Sequence, residues 1–397
     1  MKTPKNLLFP VAAAALAVAL QCCCPRSSWA QSPHSNAVFV SRNPSGANEV
    51  GAFVQDPGTG ALSLVGTYLT GGRGELDIDG NQSHALAVKD DLLFVTNTGD
   101  NSLTVFRIES TGALSRLQRV SSRGVRPVSL AVKDTTLLVV NQGITAGKPG
   151  AVGGNVTAFS IGNDGELAHI RGSTFSFHAS DTPNEILSNS ANRLFSVGRS
   201  SANAVDTFRL SADGRISRTD TQRGVQDPLG GAIKSGSRST VIFTLPDRSH
   251  AGVMSLVVNA QGKFLNARTY LRPKLLDPCW ATIHPNGTLV WTAAFATRTI
   301  SLYRLGERGG LTAVSNFRPW NTGAGIVDLT TDSTGSYVFQ LRAFRAPGGE
   351  HNQRPSVAVF ETTGGDADAG LALVGEYDLP SSWSRSGPTG IAVAEIL

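Results

Sequence analysis

One pattern recurs seven times along this chain of 397 residues, and it leaves few folds open. An alternating apolar strand runs into a polar turn ending in glycine, then into a second strand. The copies read VGAFVQDPGTGALSLV from Val50, LTVFRIESTGALSRL from Leu103, VTAFSIGNDGELAHI from Val156, VDTFRLSADGRISRT from Val205, VMSLVVNAQGKFLNA from Val253, ISLYRLGERGGLTAV from Ile300 and VAVFETTGGDADAGLALV from Val357. The turn glycines read as Gly60, Gly112, Gly165, Gly214, Gly262, Gly310 and Gly370, at intervals of 52, 53, 49, 48, 48 and 60 residues. A near-constant period of this length means one supersecondary unit copied, because no single unit can bury its own apolar faces.

A second hairpin precedes each of these. Ala85–Val88 with Leu92–Thr96 is one, and Val128–Val132 with Leu137–Val140 is another. Four strands per repeat make a propeller blade, and no stretch shows the 3.6-residue period of an amphipathic helix. The expected fold is all-β: a seven-bladed β-propeller with four antiparallel strands per blade. The first segment, Ala37–Ser41, has no strand before it to pair with, and the last, Thr389–Ala394, has no hairpin after it. The C-terminal strand is therefore expected to close the ring as the innermost strand of the first blade, which removes the exposed edge.

Residues 1–30 read as a secretory signal peptide: Lys2 and Lys5, an apolar run of 12 residues from Phe9 to Leu20, then Ser28-Trp29-Ala30. The run is too short to span a membrane, which takes about 20 residues. Residues 31–397 are then the propeller domain of a secreted protein, extracellular or periplasmic. Lys2, Lys5 and Arg26 leave with the leader, so the formal charge falls from +5 to +2. That balance gives no sign of a nucleic-acid partner. Cys22, Cys23 and Cys24 leave too. Cys279 remains alone in an apolar strand and reads as a small buried hydrophobe. Neither a membrane nor a cofactor is expected, and a monomer is.

Blade topology puts the loops between the second and third strands on the same face as the blade-to-blade connections. Three loops are enlarged on it: Gln142–Gly154, Pro246–Gly252 and Arg342–Pro355. Long loops on a rigid scaffold usually carry function. The same face receives Arg73, Arg123, Arg126, Arg223, Arg272, Arg318 and Arg385. Guanidinium forks suit carboxylate or phosphate. Equally, these arginines could pair with Glu75, Asp77, Asp181, Asp227 and Asp277. Glu185 is the only glutamate at the start of an inner strand and is a candidate general base, while His84 is a second candidate acid or base. The candidate set is thus Glu185 and His84 for catalysis, with Arg73, Arg126, His178, Arg223, Arg318 and Arg342 for substrate. The seven histidines show no ligand spacing for a metal. Sequons fall at Asn81, Asn155 and Asn286.

The turn copies, the His284-Pro285-Asn286-Gly287 hairpin and the Leu93-Phe94-Val95-Thr96-Asn97 strand resemble the seven-bladed lactonase propellers, which include 6-phosphogluconolactonases and 3-carboxymuconate-lactonizing enzymes. The resemblance covers the whole mature chain. It implies hydrolysis or formation of a carboxylated lactone at the channel mouth. The family's Pro-His-x-His segment is here Pro183-Asn184-Glu185-Ile186, and its Gly-Pro-Arg-His segment is Asp277-Pro278-Cys279-Trp280, so only the prolines carry over. His178 falls near another family histidine. Two classes therefore stay open: a lactonase-like enzyme for a small anionic molecule, or a non-catalytic exported propeller that binds a protein or glycan through its long-loop face.

Overall fold

The computed structural model describes residues 35–76, 83–247, 249–272, 274–320, 324–343, 354–365, 368–383 and 387–396. The expected leader at 1–30 lies outside them. Seven antiparallel sheets follow one another around a ring. Blade 1 runs Thr389–Ile396, Ser35–Ser41, Ala47–Gln55, Leu62–Arg73 from the inside outward, so the C-terminal strand does close the ring. Its register pairs Phe39 with Ala392 and Val38 with Val393. The inner strands of blades 2 to 7 are Leu86–Lys89, Pro127–Lys133, Pro183–Ser188, Gly231–Lys234, Pro278–Ile283 and Gly325–Thr331. Two short 3-10 turns, Thr98–Asp100 and Ser381–Trp383, are the helical pieces among the described residues.

Burial explains the strand patterns. A middle strand has a neighbouring blade on both faces, so Leu92–Asn97 is buried at every position. An outer strand has water on its far edge, so most of Leu114–Ser121 is exposed or half-buried and only Leu114 is fully buried. The core therefore lies in the seams between blades. Trp291 and Leu302 of blade 6 meet Val338 and Phe360 of blade 7, for example.

Three details differ from the sequence reading. The left-handed glycine in the blade 6 turn is Gly309 at φ 74°, and in blade 7 it is Gly364 at φ 72°, where Gly310 and Gly370 were expected. The outer edge of blade 3 is split into Leu167–His169 and Phe175–Ser176, both pairing with Val152–Ile161. The loop expected at Gln142–Gly154 is mostly hairpin: Gly143 pairs with Gly153, which leaves residues 145–151 as its tip. Of the loop after Arg342, residues 344–353 lie outside the described ones.

One irregularity repeats and matters for the site. The inner strands of blades 3, 4, 6 and 7 each slip register by one residue near their start, between Pro127 and Ser129, Pro183 and Glu185, Pro278 and Trp280, and Ile326 and Asp328. A bulge of this kind re-aims the side chain that follows it.

Candidate functional site

The residues after those bulges include Glu185 and Asp328, and His84 joins them from the connection into blade 2. Glu185 Oε1 accepts a hydrogen bond from His84 Nδ1 at 2.9 Å, across 101 residues of sequence and two blades of the ring. Ser129 Oγ donates to the same carboxylate oxygen at 3.2 Å and accepts the Ile186 N–H at 3.2 Å, which locks the Glu185 backbone to blade 3. The second oxygen, Glu185 Oε2, is buried and has no hydrogen-bond partner among the described residues. The Glu185 side chain is 0% exposed, whereas that of His84 is 35% exposed. The pair therefore has a dry side, the carboxylate, and a wet side, the imidazole.

His84 is held in an unusual backbone conformation, with φ at 53°. That left-handed setting is costly for a residue with a Cβ, and the fold supports it from both sides. The His84 carbonyl accepts the Leu130 N–H at 2.9 Å. Ser83 reaches across the ring, so that a Cβ placed on Gly230 of the blade 5 connection would stand 3.0 Å from Ser83 Oγ. The Ser83–His84 step thus lies across the channel mouth.

Burial works against charge on His84. The Glu185 carboxylate outweighs it, through Coulomb attraction and the hydrogen bond, and Asp328 adds to the effect. Together they raise the pKa of His84 to about 9. A pKa near 9 favours the imidazolium at neutral pH, with Nδ1 held by Glu185 and about a third of the ring open to solvent.

Asp328 was not singled out in the sequence. Burial raises its pKa to about 7, against the attraction of His84 and two backbone donors, while Glu185 pushes the same way as burial. Its Oδ1 accepts the Leu329 N–H at 2.8 Å and its Oδ2 the Ile391 N–H at 3.2 Å, the latter from the closing strand. A spacing signal could have found it. Glu185, Trp280 and Asp328 each stand thirteen residues before their cross-strand partner, Gly198, Ala293 and Leu341. Aligning the inner hairpins on that spacing puts the three side chains at one level.

The predicted cations do not share a single place. Arg126 immediately precedes the inner strand of blade 3, and its Nε donates to Glu75 Oε2 at 2.8 Å. Arg73 and Arg223 end outer strands, and Arg318 follows one directly. All three are exposed and make no ion pair among the described residues. An outer strand lies three spacings, roughly 14 Å, from the inner one, so these strand-end arginines stand back from the axis, with the Arg73 N–H bonded to Asp100 of the neighbouring blade. His178 is exposed in the connection from blade 3 to blade 4. Arg342 is buried, paired with Glu376 and stacked at 3.8 Å on the Trp320 ring. Asp181 is occupied by Arg199 at 3.2 Å. Among the described residues no three His, Cys, Asp or Glu side chains converge as metal ligands.

Comparisons with known proteins agree with this architecture. The family model described as Lactonase, 7-bladed beta-propeller, matches residues 46–145, a stretch that includes Arg73, His84 and Arg126. A search of curated proteins finds no match. Among solved structures, the periplasmic gluconolactonase of Pseudomonas aeruginosa is 14% identical with a TM-score of 0.65, covering 91% of this chain and 100% of that one. A candidate 6-phosphogluconolactonase from Bacteroides uniformis is 15% identical with a TM-score of 0.66, covering 91% and 100%. A hypothetical selenium-binding protein from Sulfolobus tokodaii superposes as well, with a TM-score of 0.66 at 8% identity, covering 92% and 95%. Likeness at these identities is likeness of fold.

Proposed function

From a chain similar to the lactonase-type propellers in sequence over residues 46–145 and in fold over 91% of its length, we propose a hydrolase that opens a lactone at the channel mouth, with His84 as the residue that touches substrate. The observation that carries this is the His84–Glu185 pair, a charged, one-third exposed imidazole fixed on a buried carboxylate. Such a pair presents one nitrogen, Nε2, as a preorganised donor. Charge aimed where an oxyanion develops is usually the largest single contribution to acyl-transfer catalysis.

The reaction runs as follows. Nε2–H of His84 donates to the lactone carbonyl oxygen. A water adds to the carbonyl carbon and yields its proton to a neighbouring solvent molecule at the mouth, since the Glu185 carboxylate is sealed from water and serves to hold His84 charged and oriented. The tetrahedral adduct collapses, the ring C–O bond breaks, and the ring oxygen takes that proton. The product is the open hydroxy acid, and both side chains return to their starting state. A carboxylate on the lactone suits this face, because exposed Arg73, Arg223 and Arg318 make its surround electropositive and attract anions to it at low salt.

The test is proton release from a panel of neutral and carboxylated lactones at low and high salt. Carboxylated lactones should be turned over with a rate constant that falls as salt rises. His84→Gln should lower kcat/KM by roughly 10²–10³-fold, as loss of an oxyanion-stabilising donor does. Turnover unchanged in His84→Gln rules out the mechanism. Inertness of the wild type toward the whole panel favours the binding role for the long-loop face.

A further inference from the structure

The reaction above uses His84 and Glu185 and leaves Asp328 idle, yet Asp328 is buried, fixed and at the same level of the ring. Its two oxygens are pinned by backbone N–H groups of Leu329 and Ile391, so it cannot swing away. It shares the post-bulge position and the thirteen-residue spacing of Glu185. The two carboxylates approach from blades 4 and 7, and the closing strand brings Asp328 to the start of blade 2: the Ile391 N–H that it accepts follows Gly390, where a Cβ would lie 2.9 Å from the Cβ of Ala85, the residue after His84. We infer that Asp328 is a positioning residue for His84, whose carboxylate, set by the closing seam of the ring, fixes the protonation of the imidazole that Glu185 orients. This deepens the lactonase reading and rests on it only where turnover is the readout.

Among the described residues, no other titrating side chain occupies this level of an inner strand. The remaining inner strands bring Leu86, Ser129, Gly231, Trp280 and Ile391 near their first residues, and none of these titrates. Of the charged groups just upstream, Arg126 is neutralised by Glu75 and Asp181 by Arg199. Asp227 and Asp277 flank Cys279, on which both act. The effect of Asp328 has a definite sign. Its ionisation adds a second negative charge facing the imidazolium, so His84 should sense it as a step well below its own. Removing that charge leaves the proton on His84 less tightly held.

The experiment is an NMR titration of the His84 ring, assigned by the signal that His84→Gln deletes. The wild type should show two inflections, near pH 7 as Asp328 ionises and near pH 9 as His84 loses its proton. In Asp328→Asn the lower inflection should vanish and the upper one should move to lower pH. With an active lactone in hand, the same variant should lose the limb of its kcat profile near pH 7. A single inflection in the wild type overturns the inference, and so does a folded Asp328→Asn that titrates like the wild type. If Asp328→Asn does not fold, the wild-type titration alone decides. Two inflections together with no lactone turnover would sink the lactonase reading and leave this one standing.

Discussion

At the scale of single residues, the channel cluster couples charge to stability. His84 rises from 6.5 to about 9 on folding, so its contribution is fully present below pH 6.5 and is lost as pH rises through about 9. Asp328 rises from 3.8 to about 7. An acid whose pKa is raised on folding keeps a proton that the unfolded chain has released, so its cost is absent below about pH 4 and complete above about 7. Both slopes have the same sign. The difference in melting temperature between wild type and the His84→Gln/Asp328→Asn double variant should therefore move steadily against the wild type from pH 4 to pH 9. A pH-independent difference would show that neither group changes its proton affinity on folding. Arg342 gives a contrasting case. A buried guanidinium paired with Glu376 and stacked on Trp320 ties the blade 7 seam, and Arg342→Ala should cost roughly 2 kcal/mol through the lost packing on Trp320, since the exposed Glu376 keeps its hydrogen bond from Ser356. Denaturant melts would show that loss with turnover per folded molecule unchanged. Glu185 was legible in the sequence because an acid at the start of an inner strand breaks an apolar rule. Its bond to His84 was not, since strand register across two blades decides it. Asp328 was missed because its neighbours Ile326, Val327 and Leu329 read as ordinary strand, and only the bulge turns it to the axis.

At the scale of elements, the two connections that cross the channel mouth constrain each other. Gly230 has no room for a side chain: a Cβ there would lie 2.3 Å from the Cys279 carbonyl oxygen and 3.0 Å from Ser83 Oγ. Gly230→Ala must shift the start of blade 6 or push the Ser83–His84 step away from Glu185. Overpacking of this kind costs about 1–3 kcal/mol. The expected outcome is a modest fall in melting temperature together with a lower pKa for His84 in the same titration. A normal His84 titration in this variant would mean that blade 6 alone gives way. The element scale also shows what a repeat hides. Seven hairpins were readable from their apolar alternation, because each middle strand is sandwiched between blades. The shift of the left-handed turn residue from Gly310 to Gly309 was not, because a Gly-Gly pair offers two adjacent positions that tolerate positive φ and backbone closure chooses between them, while in blade 7 the residue is Gly364, six positions before the expected Gly370, in a longer turn that the shared pattern does not align.

At the scale of the whole molecule, the ring depends on one strand that lies about 350 residues along the chain from its partner. Thr389–Ile396 pairs along Ser35–Ser41 over seven positions and buries Ile391, Ala392, Ala394 and Ile396. Two buried isoleucines contribute roughly 1.5–3 kcal/mol each, and the ladder of hydrogen bonds adds about 1 kcal/mol per bond. That sum is comparable with the whole stability of an ordinary domain, about 5–15 kcal/mol. The strand also supplies the Ile391 N–H that holds Asp328, so ring closure and the channel cluster share a residue. Deletion of residues 388–397 should therefore do two things at once. The inner edge of Ser35–Ser41 would lose its partner and become a template for pairing with other chains, giving an insoluble protein or one without a cooperative melt. In any soluble fraction, Asp328 would lose a donor to its carboxylate and the pH 7 inflection of His84 would shift upward. The closing strand was readable in the sequence because the first segment lacked a partner and the last lacked a hairpin, an argument from the count of strands that needs no contact information. A truncated chain that melts like the full one, with His84 titrating as before, would mean that blade 1 is held by its three remaining strands and that the seam does not reach the channel.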